Sequence, residues 1–196
     1  MAKVSSCKDL LMLLLYAKGH GGLQAEPVKG RTRLMKMVFL FEKEVRAKFN
    51  LDKVISKEAL PDFTPYDFGP FSPAVYSDLE FLVELGFVER QQSDDLEPLE
   101  EEALEYEYWQ AGAASDASRE SLQAQEEFVL SSIGKEFVQA GHAGRLSEAQ
   151  WQVLDEFKAR CTGTSLRALL RYVYTRYKDM TVKSKIREEI LSAGEN

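Results

Sequence analysis

The residues that most often carry catalysis or bind metals are few and scattered along this chain. His20 and His142 each lie beside a glycine, and no Cys-x-x-Cys or His-x-x-x-His spacing supplies transition-metal ligands. The sequence has no Gly-x-Ser-x-Gly nucleophile elbow and no P-loop. Cys161 has no predictable histidine partner, and we expect it and Cys7 to be small buried thiols. We therefore expect no metal, no cofactor and no enzymatic activity.

Positively charged residues suit a different chemistry, the binding of phosphates. Eight basic residues against three acidic ones occupy 29–53, and nine against one occupy 158–187. Such clusters are typical of nucleic-acid contacts, although a solvated surface or a protein contact predicts the same charges. Helical spacing places Arg33 and Lys36 opposite the apolar stripe of their helix, on a face open to solvent or a ligand. The candidate nucleic-acid-binding residues are Arg31, Arg33, Lys36, Arg167, Arg171, Arg176 and Lys178.

An aromatic turn around Gly69-Pro70 is the main candidate for binding a protein. Gly69 and Pro70 fix a bend that ordinary residues resist. Exposed aromatic side chains next to such a bend are typical anchors for a partner, whereas buried ones would only hold the core together. The candidate partner-binding residues are Lys36, Tyr66, Phe68, Gly69, Pro70, Phe71 and Tyr76.

Hydrophobic periodicity predicts the elements that would position these residues. Ser72 and Pro73 predict the start of a helix that Gly86 ends, and an extended segment follows at once. A helix, a glycine and a strand in this order are typical of the passage into the β-hairpin of a winged helix. The pattern predicts helices at 5–18, 31–48, about 57–60, 73–85, 131–138, 147–161 and 164–178, strands at 87–91, 104–110 and 127–130, and a loop at 26–30.

These elements predict an α+β protein that is mainly α. We expect a winged-helix-like core, a short antiparallel β-wing and additional C-terminal helices. With 196 residues, 44% of them hydrophobic, the chain suits a single domain. Within it, 1–92 would form the helical core with the Gly-Pro turn, 93–125 an acidic and partly flexible wing insertion, and 126–196 the C-terminal strand and helices.

The sequence also bears on location. No apolar run reaches the roughly 20 residues that span a bilayer. The leucine-rich stretch at 10–15 continues into Tyr16-Ala17-Lys18-Gly19 without a small-residue cleavage site, so we expect a core helix and not a signal peptide. Without an apolar run long enough to span a bilayer, we expect no contact with a membrane. Two cysteines form no disulfide framework, which favours a reducing cytoplasm.

Several segments, taken in order, resemble the Panacea group of SocA-type antitoxin domains, and equally a related group of prokaryotic proteins (YwgA-like). The segments lie at 31–44, 66–89, 128–138 and 166–186 and cover about two thirds of the chain. The resemblance implies a mostly helical protein with winged-helix character and no cofactor. Panacea domains neutralise toxins, and related proteins occur among phage-defence genes. The matching residues are Leu34, Lys36, Met37, Phe39, Tyr66, Gly69, Pro70, Val75 and Tyr76.

These observations lead to a first hypothesis and two alternatives. The first is a non-enzymatic interaction protein, similar to an antitoxin or a defence-associated regulator, that binds a protein partner through a groove near the Gly-Pro turn. The second is a winged-helix DNA-binding regulator that uses the basic helix faces, and its affinity should fall steeply with salt. An enzyme that processes nucleotides or nucleic acids with dispersed carboxylates is the third.

Overall fold

The computed structural model describes residues 3–92 and 126–192. In these segments the protein is α+β and mainly α, as the sequence predicts. The predicted strand at 104–110 and the acidic insertion at 93–125 lie outside the described residues. The helices are α1 (Cys7–Tyr16), α2 (Arg31–Leu40), α3 (Pro73–Glu84), α4 (Ser132–Gly141), α5 (Glu148–Thr162), α6 (Leu166–Arg176) and α7 (Arg187–Ser192), and the strands are β1 (Val28–Lys29), β2 (Thr64–Tyr66), β3 (Gly69–Phe71), β4 (Val88–Gln92) and β5 (Glu126–Leu130).

The larger sheet is antiparallel, with the strand order β1-β5-β4. Val28 pairs with Phe128 on one side of β5, and Val88 pairs with Leu130 on the other. The chain order α1, β1, α2, α3, β4, β5, together with β5 in the middle of the sheet, is the connectivity of a winged helix. The prediction of a loop throughout 26–30 was wrong, because β1 lies within it and supplies the third strand.

Helix α1 forms the centre of the hydrophobic core. Every side chain from Leu10 to Leu15 is at most 2% exposed, so the leucine-rich stretch is a core helix, as predicted. The Oγ atom of Ser6 accepts a hydrogen bond from the backbone N–H of Asp9 and caps the helix. The same core contains side chains of α2, α3, β5, α5 and α6, so both described segments pack together around α1.

Helix α2 begins where the sequence predicts but ends early. A π-helical turn, Phe41–Val45, follows it directly, so the predicted single helix at 31–48 is interrupted. All side chains from Thr32 to Leu40 are buried, because α5 and α6 cover the side of α2 that the apolar stripe leaves open. The T-shaped contact between Phe39 and Tyr177, with ring centroids 4.9 Å apart, is part of this cover.

A two-stranded hairpin of β2 and β3 is inserted between α2 and α3. Thr64 pairs with Phe71, and Tyr66 pairs with Gly69 at the turn. Gly69 has a φ of 86°, and a Cβ atom there would lie 2.9 Å from the Tyr174 ring, so both the backbone conformation and the close packing require glycine. The Gly-Pro turn is therefore a tight hairpin that packs against α6.

Candidate functional site

Lys36 fixes the Gly-Pro turn from inside the protein. Its side chain is fully buried, and its Nζ atom donates hydrogen bonds of 2.9 Å to the carbonyl oxygens of both Phe68 and Pro70. Burial lowers the pKa of Lys36 to about 7. The expectation that Lys36 lies on an open face of its helix was wrong, because the hairpin and α6 cover that face. Lys36 belongs to the fold and is not accessible to a ligand.

The aromatic residues of the turn are close together but mostly covered. Phe68 is 4% exposed, and Phe71 and Tyr76 are half-buried. The rings of Tyr66 and Phe71 lie 5.1 Å apart, and Tyr66, at 39% exposure, is the most accessible of the set. Because Gly69 and Pro70 are buried as well, the turn offers one aromatic edge and no groove lined by aromatic side chains.

The basic residues at the start of α2 hold elements of the fold together. Arg31 bridges the carboxylates of Glu80 and Glu126, and its guanidinium lies 5.1 Å from the centroid of the Tyr76 ring. Arg33, at 3% exposure, donates hydrogen bonds to the carbonyl oxygens at the end of α5 and in the loop that follows it. The expectation of an open face was therefore wrong for Arg33 too, and the positive charge in this cluster is used internally.

The C-terminal basic residues are more accessible, but most of them are also engaged. Arg167 lies 3.6 Å from a carboxylate oxygen of Glu189, and the Nε atom of Arg171 donates a hydrogen bond to a carbonyl oxygen of α7. Arg176 is well exposed, and its Nε atom lies 3.0 Å from a carboxylate oxygen of Glu44. Lys178 is exposed. These residues do not join the cluster on α2 in a continuous positive surface of free side chains.

Helix α3 occupies the position from which a winged helix usually reads DNA, immediately before the wing. Its charged residues are Asp78, Glu80 and Glu84, and it contains no lysine or arginine. This helix therefore offers no positive charge for contacts with the phosphates of a duplex.

Large apolar side chains are exposed near the end of α3 and on α4, and we call this set the α3–α4 patch. Phe81 of α3 is 43% exposed, and Leu85, which directly follows α3, is 54% exposed. On α4, Ile133 is 61% exposed and Phe137, four residues later, is 43% exposed. Residues four apart lie on the same side of a helix, so Phe81 and Leu85 form one adjacent pair of large apolar side chains and Ile133 and Phe137 form another.

The start of α4 is in close contact with the segment that joins α3 to β4. The Oγ atom of Ser131 donates a 2.7 Å hydrogen bond to the carbonyl oxygen of Gly86 and caps α4 by accepting one from the N–H of Gly134. A Cβ atom on Gly134 would lie 2.2 Å from the carbonyl oxygen of Phe87, so the backbones are in close contact. The rings of Phe87 and Phe137 lie 5.3 Å apart. The apolar side chains are thus presented by a rigid support.

The charges around the patch are mainly negative. Glu84 lies beside Leu85, Glu136 lies beside Phe137, and both glutamates are exposed. Lys8 is held by Asp78 at 2.6 Å, and its Nζ atom lies 5.0 Å from the centroid of the Phe81 ring. The charged residues next to the patch in sequence thus include two exposed carboxylates, Glu84 and Glu136, and the half-buried Lys135.

Sequence analysis missed this patch, although a signal for it exists. The apolar stripe of α3 contains Leu79 and Leu82, which are buried. Phe81 and Leu85 fall outside that stripe, and large apolar residues on the polar side of an amphipathic helix are the signal of an exposed contact surface.

Further observations concern metals, membranes and related proteins. In the described residues, no three His, Cys, Asp or Glu side chains are grouped so that they could hold a metal ion. None of the helices in that part of the chain is both long enough and apolar enough to cross a membrane. Comparison with protein-family models, with curated proteins and with solved structures found no match. The resemblance to antitoxin domains stays a prediction.

Proposed function

We propose that this chain is a non-enzymatic interaction protein that binds a protein partner through the α3–α4 patch. The observation that supports this proposal best is the presence of four large, exposed apolar side chains near the end of α3 and on α4, where Ser131 and Gly134 contact the backbone that follows α3. Contiguous exposed apolar surface with a polar rim is typical of protein interaction sites. Phenylalanine and leucine anchors held rigidly are also favourable for affinity, because little side-chain freedom is lost on binding.

The energy available from the patch is consistent with a specific contact. Complete burial of one such side chain stabilises a complex by about 1.5–3 kcal/mol. Since each of the four is roughly half-exposed, covering all of them would contribute about 3–6 kcal/mol. Association itself costs at least about 4 kcal/mol. The apolar centre must therefore be supplemented by contacts at the rim.

The rim indicates the chemistry of the partner. Glu84 and Glu136 are exposed beside the apolar centre and favour lysine or arginine on the partner. The two apolar pairs, each spaced four residues apart, match the i, i+4 spacing of anchors on an amphipathic helix. We infer that the partner presents a helical segment with apolar anchors flanked by basic residues. The resemblance to antitoxin domains leads us to expect a toxin or a regulatory target, and the two buried free cysteines support a cytoplasmic location.

The DNA-binding alternative has weaker support. Arg33 and Lys36 are buried, Arg31 is paired with two glutamates, and α3 carries no basic residue. Its remaining support comes from Arg176 and Lys178, which are exposed. The two functions differ in their response to salt, because affinity from phosphate contacts falls steeply with salt whereas affinity from apolar contacts does not.

Selection from a peptide library tests the proposal, because the sequences of the peptides that bind show which partner chemistry the protein prefers. We would select a displayed library of helical peptides on the full chain and measure the affinity of the enriched peptides for Phe81→Ser/Ile133→Ser, with Leu23→Ser, a leucine that is 69% exposed elsewhere, as the control. We expect the enriched peptides to contain apolar anchors and flanking basic residues. The double variant should bind them at least tenfold more weakly than the unsubstituted chain, and the Leu23→Ser control should bind them equally well. Equal affinity for all three proteins would contradict the proposal.

A further inference from the structure

A pocket distinct from the Gly-Pro turn and from the α3–α4 patch lies between the end of α2, α5 and α6. Its volume is about 600 Å³, which lies within the range of small-ligand sites. Part of its wall is apolar and includes Leu40, Val153, Phe157 and Leu169, and the rest is formed mainly by polar and charged residues. Leu40 and Leu169 are at most 5% exposed and form part of the hydrophobic core, so an apolar ligand in the pocket would extend that core.

Two cations at this pocket have no partner among the described residues. Lys48 follows the π-helical turn, Arg160 lies near the end of α5, and both are accessible to solvent and line the pocket. Neither side chain takes part in an ion pair or hydrogen bond in the described part of the chain. Positive charges that are free and adjacent to an apolar cavity favour a ligand with an apolar body and an anionic group.

The carboxylates that line the pocket oppose an anion only weakly. Glu44 accepts hydrogen bonds from the hydroxyls of Tyr172 (2.8 Å) and Tyr177 (2.7 Å), and the Nε atom of Arg176 lies 3.0 Å from it. These three donors offset its negative charge. Glu156 lies one helical turn before Arg160 and is exposed to solvent, as Lys48 and Arg160 are, so solvent screens all three charges. With Arg176 beside Glu44, three cations face two carboxylates at the pocket.

The mouth of the pocket contains an aromatic residue in an unusual conformation. Phe49 has a φ of 59° and Asn50 a φ of 58°, both in the left-handed region that residues other than glycine seldom adopt. Phe49 is 61% exposed and lines the pocket, although a side chain of this size is usually buried. The strained backbone therefore keeps an aromatic ring at the entrance, next to the π-helical turn, and both features are frequent at binding sites.

We propose that this pocket binds a small amphipathic anion, a carboxylate with an aliphatic chain or aromatic body. The body lies between α5 and α6 against the apolar walls, the carboxylate lies at the mouth near Lys48 and Arg160, and Phe49 covers the body at the entrance. This site is independent of the α3–α4 patch, so the proposed partner binding can fail without affecting it.

Displacement of a fluorescent anion tests the site. The probe is 1-anilinonaphthalene-8-sulfonate, added to the full chain with Phe81→Ser/Ile133→Ser so that the α3–α4 patch does not hold it. Decanoate, decanol and decylamine share one chain length and differ in charge. We expect decanoate to displace the probe at a concentration at least tenfold lower than decylamine, with decanol between them. Equal displacement by the three compounds, a preference for decylamine, or no displacement at all would overturn the proposal.

Variants at the pocket locate the site. Lys48→Glu/Arg160→Glu should weaken decanoate binding about tenfold and leave decanol binding unchanged, because exposed charge pairs contribute modestly. Ala168→Trp, at an exposed position that lines the cavity, should weaken both ligands by occluding it. Lys183→Glu, at an exposed position outside the pocket, is the matched control and should bind like the parent. Unchanged binding in both pocket variants, with native circular dichroism, would show that the ligand lies elsewhere.

Discussion

Replacement of Lys36 by methionine should destabilise the protein by several kilocalories per mole. Methionine has nearly the same length and shape as lysine but provides no donor, so the substitution fills the same space. The carbonyl oxygens of Phe68 and Pro70, which now accept hydrogen bonds of 2.9 Å from the Nζ atom, would each lose a partner. Both accept their bonds from a lysine that is completely buried, so water could replace the lost donor only if the hairpin moved.

The size of the effect follows from these two acceptors. A buried polar group without a partner costs about 1–3 kcal/mol, so the two carbonyls together would cost about 2–6 kcal/mol. Two effects oppose this cost, because the buried amine is removed and a thioether is buried in its place. Together they stabilise the folded protein by about 1–2 kcal/mol. From the middle of each range, about 4 kcal/mol lost and about 1.5 kcal/mol regained, we expect a net loss of about 2.5 kcal/mol, which corresponds to a decrease in Tm of roughly 5–10 °C for a chain of this size.

Urea unfolding at pH 9.5, where Lys36 is neutral in the folded protein because its pKa there is about 7, measures this loss by far-ultraviolet circular dichroism. Lys53→Met, at an exposed position in a short 3₁₀ turn, is the matched control and should change the free energy of unfolding by less than about 0.5 kcal/mol. If Lys36→Met were as stable as the control, the lysine would not hold the Gly-Pro turn and the interpretation of this residue as part of the fold would be wrong.

Three further predictions concern the same packing. Burial lowers the pKa of Lys36 and of Lys158 to about 7 in the folded protein, whereas the value in the unfolded chain is 10.5. Between pH 7 and pH 8.5 the unfolded chain therefore binds more protons than the folded protein does, so the free energy of unfolding should rise with pH in this range. The slope should be at most about 1.4 kcal/mol per pH unit for each lysine, and urea unfolding of Lys36→Met at several pH values should show a smaller slope. Gly69→Ala should lower the free energy of unfolding by about 1–3 kcal/mol, because Gly69 has a φ of 86° and a Cβ atom there would lie 2.9 Å from Tyr174. Gly86→Ala should lower it by less, because Gly86 has a φ of 73° but open space around it. Thermal unfolding measures both changes. Burial raises the pKa of both cysteine thiols to about 12, so Ellman's reagent should modify them only in the unfolded protein, and modification of the native protein would refute this.

Most of the fold could be predicted from local patterns. Helices α1, α3, α5 and α6 and strands β4 and β5 begin and end within a few residues of the positions that periodicity and capping residues indicate. Strand β1 could not be predicted, because its two residues pair with β5, about 100 positions away, and carry no alternating pattern of their own. The π-helical turn Phe41–Val45 escaped prediction as well, since the apolar spacing continues through it.

The candidate site was harder to predict because burial depends on elements far along the chain. Arg33 and Lys36 lie opposite the apolar stripe of α2, and local spacing therefore indicates an exposed basic face. In the structure α5, α6 and the hairpin cover that face, and the two cations bind backbone carbonyl oxygens instead of ligands. The converse holds for Phe81 and Ile133, which remain 43% and 61% exposed although both side chains are large and apolar.

Photocrosslinking in the native host would test the central claim, partner binding by the α3–α4 patch, most directly. Three chains would carry p-benzoylphenylalanine at Leu85 in the patch, at Tyr66 in the Gly-Pro turn or at Arg176 among the basic residues, all exposed positions. We predict a discrete protein adduct at Leu85 alone, insensitive to moderate salt and lost when Ile133→Ser is added. Adducts formed at Tyr66 or at Arg176 and not at Leu85, or an adduct at Leu85 that Ile133→Ser leaves unchanged, would contradict the account.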